Sequence, residues 1–248
     1  MTARALQVAP PLPTPGAPEK QAVRSMFDRI ARRYDLLNRV LSFGIDRGWR
    51  RAAVEYLDAP REARILDLCT GTADLLVEAI AREPARRGTG VDFSLPMLRG
   101  ARAKLAAQAL SPRAAVLLGD VERLPLRERQ FQGALIAFGI RSVPDAHAAL
   151  AEIRRVLVPG GRLVVLEFST PRGAMGALYR LYSRHVLPRV GGLLSGERGA
   201  YAYLPASIER FPKPDAFAAA LGRAGFTNVG YRALTFGVAH LHRGERPA

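Results

Sequence analysis

Lysine is nearly absent from this 248-residue chain, which has only Lys20, Lys104 and Lys213; its other cationic side chains are arginine. Acids are also scarce, with 22 Asp and Glu against 37 Lys and Arg, a formal net charge of +15. Such a surplus reflects either arginine-rich codon usage or a positive field that favours nucleic acid or an anionic membrane, and charge alone does not choose. Cysteine is reduced to Cys69, which excludes an internal disulfide and a cysteine-cluster metal site. Lying inside a turn, Cys69 reads as a packing residue rather than a nucleophile. The histidines, His147, His185, His240 and His242, show no pair at the spacing of a helical metal site, so no metal is expected. No run of about 18 or more apolar residues occurs and no signal-peptide segment opens the chain, so a cytoplasmic location is expected. The three-glycine dinucleotide fingerprint is missing as well.

What the chain does have is concentrated in residues 64–74, Arg-Ile-Leu-Asp-Leu-Cys-Thr-Gly-Thr-Ala-Asp. An apolar run carrying Asp67 leads into a small-residue turn around Gly71, and a helical pattern begins at Leu75. Strand, tight turn and helix present backbone amides and a helix N-terminus to a nucleotide-like ligand in doubly wound sheets. Asp92 ends a second apolar run 21 residues after Gly71, about where such folds keep the acid that holds a ribose diol. An adenosine-bearing ligand is therefore expected. A single glycine suits a pyrophosphate poorly. S-adenosylmethionine has no phosphate, and its sulfonium and amino-acid tail match the nearby Asp67 and Asp74. Read alone, the stretch also fits an ordinary strand-to-helix turn with a surface acid at position 92.

Residues 1–18, with Pro10, Pro11, Pro13, Pro15 and Pro18 and no apolar periodicity, read as a disordered tail. Residues 19–248 read as a single domain. From Gln21 onward Val23, Met26, Phe27, Ile30, Tyr34 and Leu37 recur at three- and four-residue steps, with Arg24, Arg29, Arg32, Arg33 and Arg39 around them. That pattern predicts an amphipathic helix, either simply packed or a basic lid within about residues 20–60 that rests on a membrane. Strands are expected near 64–68, 89–92, 114–118, 133–138 and 162–168, and helices near 75–82, 95–107 and 145–156. Pro159-Gly160-Gly161 is expected as a turn delivering the fifth strand. Alternation of this kind implies an α/β, Rossmann-like fold with a mostly parallel sheet covered on both faces. An insertion at about 173–206 interrupts it. A helix near 215–224 and two closing strands, 227–232 and 235–242, complete a seven-stranded sheet with an antiparallel hairpin.

Ligands of such sheets bind beyond the carboxyl ends of the strands. The residues expected there are Asp67 to Asp74, Asp92, Gly119-Asp120-Val121, Ala137 to Ser142 and Glu167 to Thr170. Asp120 suits acceptance from an adenine amino group, or equally a helix N-cap before Glu122. The Asp/Asn-Pro-Pro-aromatic motif of enzymes that methylate base amines is absent after the fourth strand, which speaks against nucleic acid as a substrate. His185, inside the insertion, is a structural residue or a general base.

Several separated segments then carry a resemblance. Tyr34-Asp35-Leu36-Leu37-Asn38, Leu41-Ser42-Phe43-Gly44 and Trp49-Arg50-Arg51 resemble the N-terminal signature of the ubiquinone/menaquinone biosynthesis C-methyltransferase family. Gly119-Asp120 with Leu124-Pro125, Ala137-Phe138-Gly139-Ile140-Arg141, Leu166-Glu167-Phe168-Ser169, Tyr203-Leu204-Pro205 with Ser207-Ile208, and Gly237-Val238 through His242-Arg243-Gly244 extend it from about Val23 to Gly244. The resemblance implies a class I S-adenosylmethionine-dependent methyltransferase that methylates a ring carbon of a polyprenylated quinol such as demethylmenaquinol. Cofactor contacts carried over by position are Thr72, Asp92, Asp120 and Val121, with Asp67, Gly71 and Ala137 at the same edge. Ala137 stands where many members have serine, Ser142 where asparagine is common, and Ala73 where some have glycine. The expected chemistry is in-line methyl transfer to a carbon ortho to a phenolate, governed by alignment and water exclusion. Arg141 is expected to stabilise the phenolate, with Tyr34 or His185 positioning the substrate. A prenylated substrate implies peripheral contact with an anionic membrane surface. A phospholipid N-methyltransferase, a nucleic-acid methyltransferase and a non-catalytic basic binding protein are the competing readings.

Overall fold

The structure is a computed structural model that describes residues 20–171, 173, 176, 179, 181, 182 and 198–248. The expected tail at 1–18, much of the insertion, and His185 lie outside the described residues.

The central strands are short apolar runs whose alternate side chains feed two cores. On β1 (Arg64–Leu68), Ile65 packs on one face with Leu57, Leu76 and Leu135, while Leu66 and Leu68 pack on the other with Phe131, Ile136 and Ile153. Burial on both faces is what a parallel strand flanked by helices requires. The other strands are β2 (Arg87–Asp92), β3 (Ala114–Leu118), β4 (Phe131–Ala137), β5 (Leu157–Phe168), β6 (Thr227–Leu234) and β7 (Ala239–Glu245). They form one seven-stranded sheet ordered β3-β2-β1-β4-β5-β7-β6. β7 runs antiparallel to both β5 and β6, as the closing hairpin predicted. Strand order reverses between β1 and β4, opening a crevice at their carboxyl ends.

Helices α4 (Asp74–Ala81), α5 (Leu95–Ala107), α6 (Ala146–Val156), α7 (Arg198–Arg210) and α8 (Pro214–Arg223) connect or cover the strands. Ser94 caps α5 by accepting from the Met97 amide at 3.3 Å, and Asp145 caps α6 by accepting from the Ala148 amide at 2.9 Å.

Three expectations are corrected. The periodic face from Val23 to Leu37 is not one helix: α1 (Lys20–Ile30) ends in a 3₁₀ turn at Ala31–Arg33, and α2 (Tyr34–Leu41) and α3 (Ile45–Leu57) follow. The Pro159-Gly160-Gly161 turn is absorbed into β5, which starts at Leu157. Between its pairings with Phe131 and Gly133, β5 runs from Leu157 to Arg162, and Gly160 takes φ +73° within that detour. β7 starts at Ala239 rather than 235, because Thr235, Phe236 and Gly237 have φ of 45°, 55° and 88° and form the tight turn before it.

Candidate active site

Beyond β1 the chain turns sharply. Cys69, Gly71 and Ala73 have φ of 51°, 54° and 69° before α4 begins at Asp74. Ala73, where some members of the family have glycine, is left-handed and fully buried. The buried methyl offsets part of the backbone cost, roughly 1 kcal/mol for an L residue in this region.

Asp67 supports this turn from below. Its Oδ2 accepts from the Thr70 hydroxyl and, at 3.1 Å, from the Leu76 amide at the start of α4. Burial pushes its carboxyl up to about 7 against those two hydrogen bonds. Asp92 closes the turn from β2. Its Oδ2 accepts from the Gly71 amide at 2.8 Å and its Oδ1 from the Ser94 amide at 2.9 Å. Burial raises its pKa, and the amides of Ser94, Gly71 and Phe93 restrain the rise. Asp120 follows β3. It caps a turn rather than a helix, accepting from the Glu122 amide at 3.0 Å, and its other oxygen meets the Lys20 ammonium from α1. Lys20 also pairs with Glu122 at 2.6 Å.

Three cavities meet above these strand ends. One, of about 720 Å³, is lined by Gly71, Asp92, Asp120, Val121 and Ala137, with α1 supplying Phe27 above them. A smaller one, of about 340 Å³, adjoins Asp67, Thr72, Asp74 and Arg50. Asp67, Gly71, Thr72, Asp92, Asp120, Val121 and Ala137 therefore all line these two spaces. The third, of about 1230 Å³ including its mouth, runs between α1–α3 and the ends of β4 and β5, walled by Trp49, Phe138, Phe168 and Tyr203. Tyr34 and Phe138 line all three.

The donor set fits S-adenosylmethionine. Asp92 and Asp120 bring carboxylates to the 720 Å³ cavity, and Asp67, Asp74 and the buried Arg50 line the smaller one. A Cβ on Gly139 would stand only 2.5 Å from the Cβ of Cys69, so glycine there lets the end of β4 pack against the turn after β1. Burial pushes the Cys69 thiol well up, consistent with packing rather than nucleophilic chemistry. Thr72 is tied to α2: its hydroxyl donates to Asp35 and accepts from Lys104 at 3.2 Å. Among the described residues no group of three or more His, Cys, Asp or Glu could hold a metal ion.

Arg141 lies in the 3₁₀ turn Ile140–Ser142 after β4 and reaches the large cavity, with its side chain 6% exposed. Its Nη1 pairs with Glu167 Oε1 at 2.7 Å and donates to the Phe138 carbonyl, and its Nε donates to Ser207 Oγ at 3.2 Å. Its guanidinium lies 5.5 Å from the centre of the Phe168 ring. Tyr34 is largely buried, and desolvation raises its pKa. Ser142 accepts from the Tyr203 hydroxyl at 3.1 Å.

Some of this arrangement was not foreseen. Phe138 stacks on Phe168 at 4.3 Å between ring centres, and Trp49 meets Phe168 edge-on at 5.9 Å. Arg50, buried beside Asp46 and 3.8 Å from Asp74, brings a cation to the smaller cavity. The spacing of Asp46 and Arg50 on one helix was the available signal for that pair. For Lys20 over Asp120, 100 residues apart, there was none.

Comparison with known proteins agrees with this geometry. Residues 16–246 match the model of the ubiE/COQ5 methyltransferase family. The chain is 52% identical to the demethylmenaquinone methyltransferase of Thermus thermophilus over 90% of this chain and 100% of that protein. It is 50% identical to the ubiquinone/menaquinone biosynthesis C-methyltransferase of Syntrophotalea carbinolica, covering 91% and 94%. Among solved structures, a SAM-dependent methyltransferase from Thermotoga maritima superposes with a TM-score of 0.63 at 21% identity, covering 90% and 99%. The cyclase SpnF does so at 0.70 and 16%, covering 94% and 97%; likenesses this distant speak for the fold alone. The fold is that of a class I S-adenosylmethionine-dependent methyltransferase, and the chain belongs to the ubiE/COQ5 methyltransferase family.

Proposed function

We propose that this protein methylates a ring carbon of a polyprenylated quinol in menaquinone or ubiquinone biosynthesis, with demethylmenaquinol as the type substrate. The observation that carries the reading is the junction at Tyr34 and Phe138, which line both the carboxylate-lined cavities and the large aromatic-walled one. Membership of the family and the names of its close relatives support the same chemistry.

S-adenosylmethionine supplies a methyl group already activated on a cationic sulfur. Asp92 would hold its ribose, Asp120 with Val121 its adenine, and Asp67, Gly71, Thr72 and Ala137 the remainder. The chain's own work is alignment and the exclusion of water. Phe138 and Phe168 offer flat faces against which a quinol ring stacks, and Trp49 backs them. Arg141 places charged N–H donors at the wall where a phenolate oxygen would lie, with Tyr34 across the junction. α1 and α2 act as a lid: Lys20 meets Asp120, and Asp35 meets Thr72 and, at 2.7 Å, Lys104.

Among the described residues no helix is long and apolar enough to cross a membrane. A surplus of positive charge with a prenylated substrate favours peripheral, salt-sensitive contact with an anionic bilayer from the cytoplasmic side. Quinone profiling of a deletion strain tests the reading. Demethylated quinone should accumulate and return to the methylated form when this chain is restored; an unaltered quinone pool would overturn it.

A further inference from the structure

Two phenylalanines stand where burial gains little. Phe43 follows α2 and Phe236 lies in the turn between β6 and β7; each ring is 80% exposed. Both also have left-handed backbone, φ 52° and 55°. The α2 terminus is a Schellman closure: the Gly44 amide donates to the Arg39 carbonyl at 2.9 Å and the Phe43 amide to Val40 at 3.2 Å. Phe43 therefore fills the position such closures normally give to glycine, because an L side chain is disfavoured there. The Phe43 ring meets Tyr182 at 6.2 Å between centres, yet most of it, like Phe236, faces water on a left-handed backbone, where a large apolar side chain gains little from folding.

The two turns share a place. Phe43 lies at the mouth of the large cavity beside Ile45, and Phe236 sits between Thr235 and Val238, which line that cavity too. A hydrogen bond of 2.8 Å from Trp49 Nε1 to Thr235 Oγ1 fastens α3 to the β6–β7 turn. Around Phe43 the exposed apolar surface continues through Leu36, Val40 and Ile45, with Leu36 and Val40 four apart on one face of α2. Exposed Arg39 and Arg47 stand on the same corner.

We propose that Phe43 and Phe236 are paired membrane anchors that insert into the bilayer interface and hold the mouth of the large cavity against it. Rings flanked by arginines match an anionic phospholipid surface, with the rings among the acyl chains and the guanidiniums at headgroup level. A polyprenyl chain then stays in the bilayer while its ring enters between the two turns, so the inference rests on the quinol reading for its purpose but not for its test.

The test compares the full-length chain with the double variant Phe43→Asn/Phe236→Asn. Asparagine tolerates left-handed backbone, so the variant keeps the turns and loses only the rings. Co-sedimentation with phosphatidylglycerol/phosphatidylcholine vesicles should show wild-type binding and a loss of roughly tenfold or more in the variant, as expected for removing two apolar anchors. Its melting temperature should stay within a few degrees of the wild-type value, since only the Phe43–Tyr182 contact is lost while the left-handed turns are relieved. Methylation of a prenylated quinol in vesicles should fall, while a short-chain soluble analogue should be methylated as by the wild type. Equal vesicle binding by the two proteins would overturn the inference, as would self-association of the wild type abolished by the same substitutions, which would assign the rings to a second copy. Intact vesicle binding without methylation of either quinol by the wild type would instead refute the quinol reading.

Discussion

Arg141 is the residue on which the proposed chemistry leans most, and its surroundings decide how it can be tested. It pairs with Glu167, 1% exposed, and burial raises the Glu167 pKa while the Arg141 charge lowers it. Truncating Arg141 alone strands a buried carboxylate, at a cost of about 3–5 kcal/mol. The variant Arg141→Ala should therefore lose stability as well as activity, and its kinetics would be uninterpretable. Neutralising both partners, Arg141→Gln with Glu167→Gln, should keep the fold and the affinity for S-adenosylmethionine within a few-fold while turnover drops roughly a hundredfold or more; undiminished turnover would remove Arg141 from the mechanism. Asp67 gives a pH signature. Its folded pKa of about 7 lies above the unfolded value near 3.9, so the folded protein binds the extra proton between them. Stability from this group is present below pH about 4 and lost as pH rises to 7. The melting-temperature advantage of wild type over Asp67→Asn should thus shrink from pH 4 to pH 7 and level off above it. A constant difference would mean Asp67 is ionised throughout. The acids of the site were legible because they cluster at the carboxyl ends of the strands. The Arg141–Glu167 pair was not, since both were placed at the switch point but nothing local tells which partners a side chain chooses.

Elements carry the next lesson. β1, β3 and α5 begin and end as their apolar runs and caps indicate, whereas the stretch from Lys20 to Leu41 breaks at Ala31–Arg33 although its apolar period continues. A periodicity can survive a 3₁₀ turn, because a one-turn tightening shifts the face only slightly. β7 was legible as a strand, but its start was displaced by three residues of positive φ before it. Its His242 is 2% exposed, packs edge-on to Phe217 at 5.0 Å, and leaves Nδ1 without a hydrogen-bond partner among the described residues. Burial and the neighbouring His240 push its pKa down to about 3, against about 6.5 unfolded. The unfolded chain therefore takes the proton first as pH falls, and stability from this group is lost between pH 6.5 and 3. Replacing His242 by Phe should recover about 2 kcal/mol at pH 5 relative to the difference measured at pH 8. A pH-independent difference in urea unfolding would show the imidazole to be solvated.

At the scale of the molecule, the alternation of strands and helices specified the parallel sheet, and the short gap between the last two strands specified its antiparallel hairpin. The order of strands placed the site at β1 and β4 before any side chain was considered. The large cavity was illegible, because Trp49, Phe138, Phe168 and Tyr203 come together only when α3, β4, β5 and α7 pack. The exposure of Phe43 and Phe236 was equally hidden, since apolar residues in a sequence read as core. The central claim is that this chain moves a methyl group to a quinol ring carbon, and isotope transfer tests it most directly. Purified full-length protein is incubated with methyl-labelled S-adenosylmethionine and demethylmenaquinol in anionic vesicles, and the product is analysed by mass spectrometry and NMR. The predicted result is one label per quinol, on the ring carbon beside a hydroxyl-bearing carbon. Label on oxygen, label on a phospholipid amine instead, or no transfer by folded protein would contradict it.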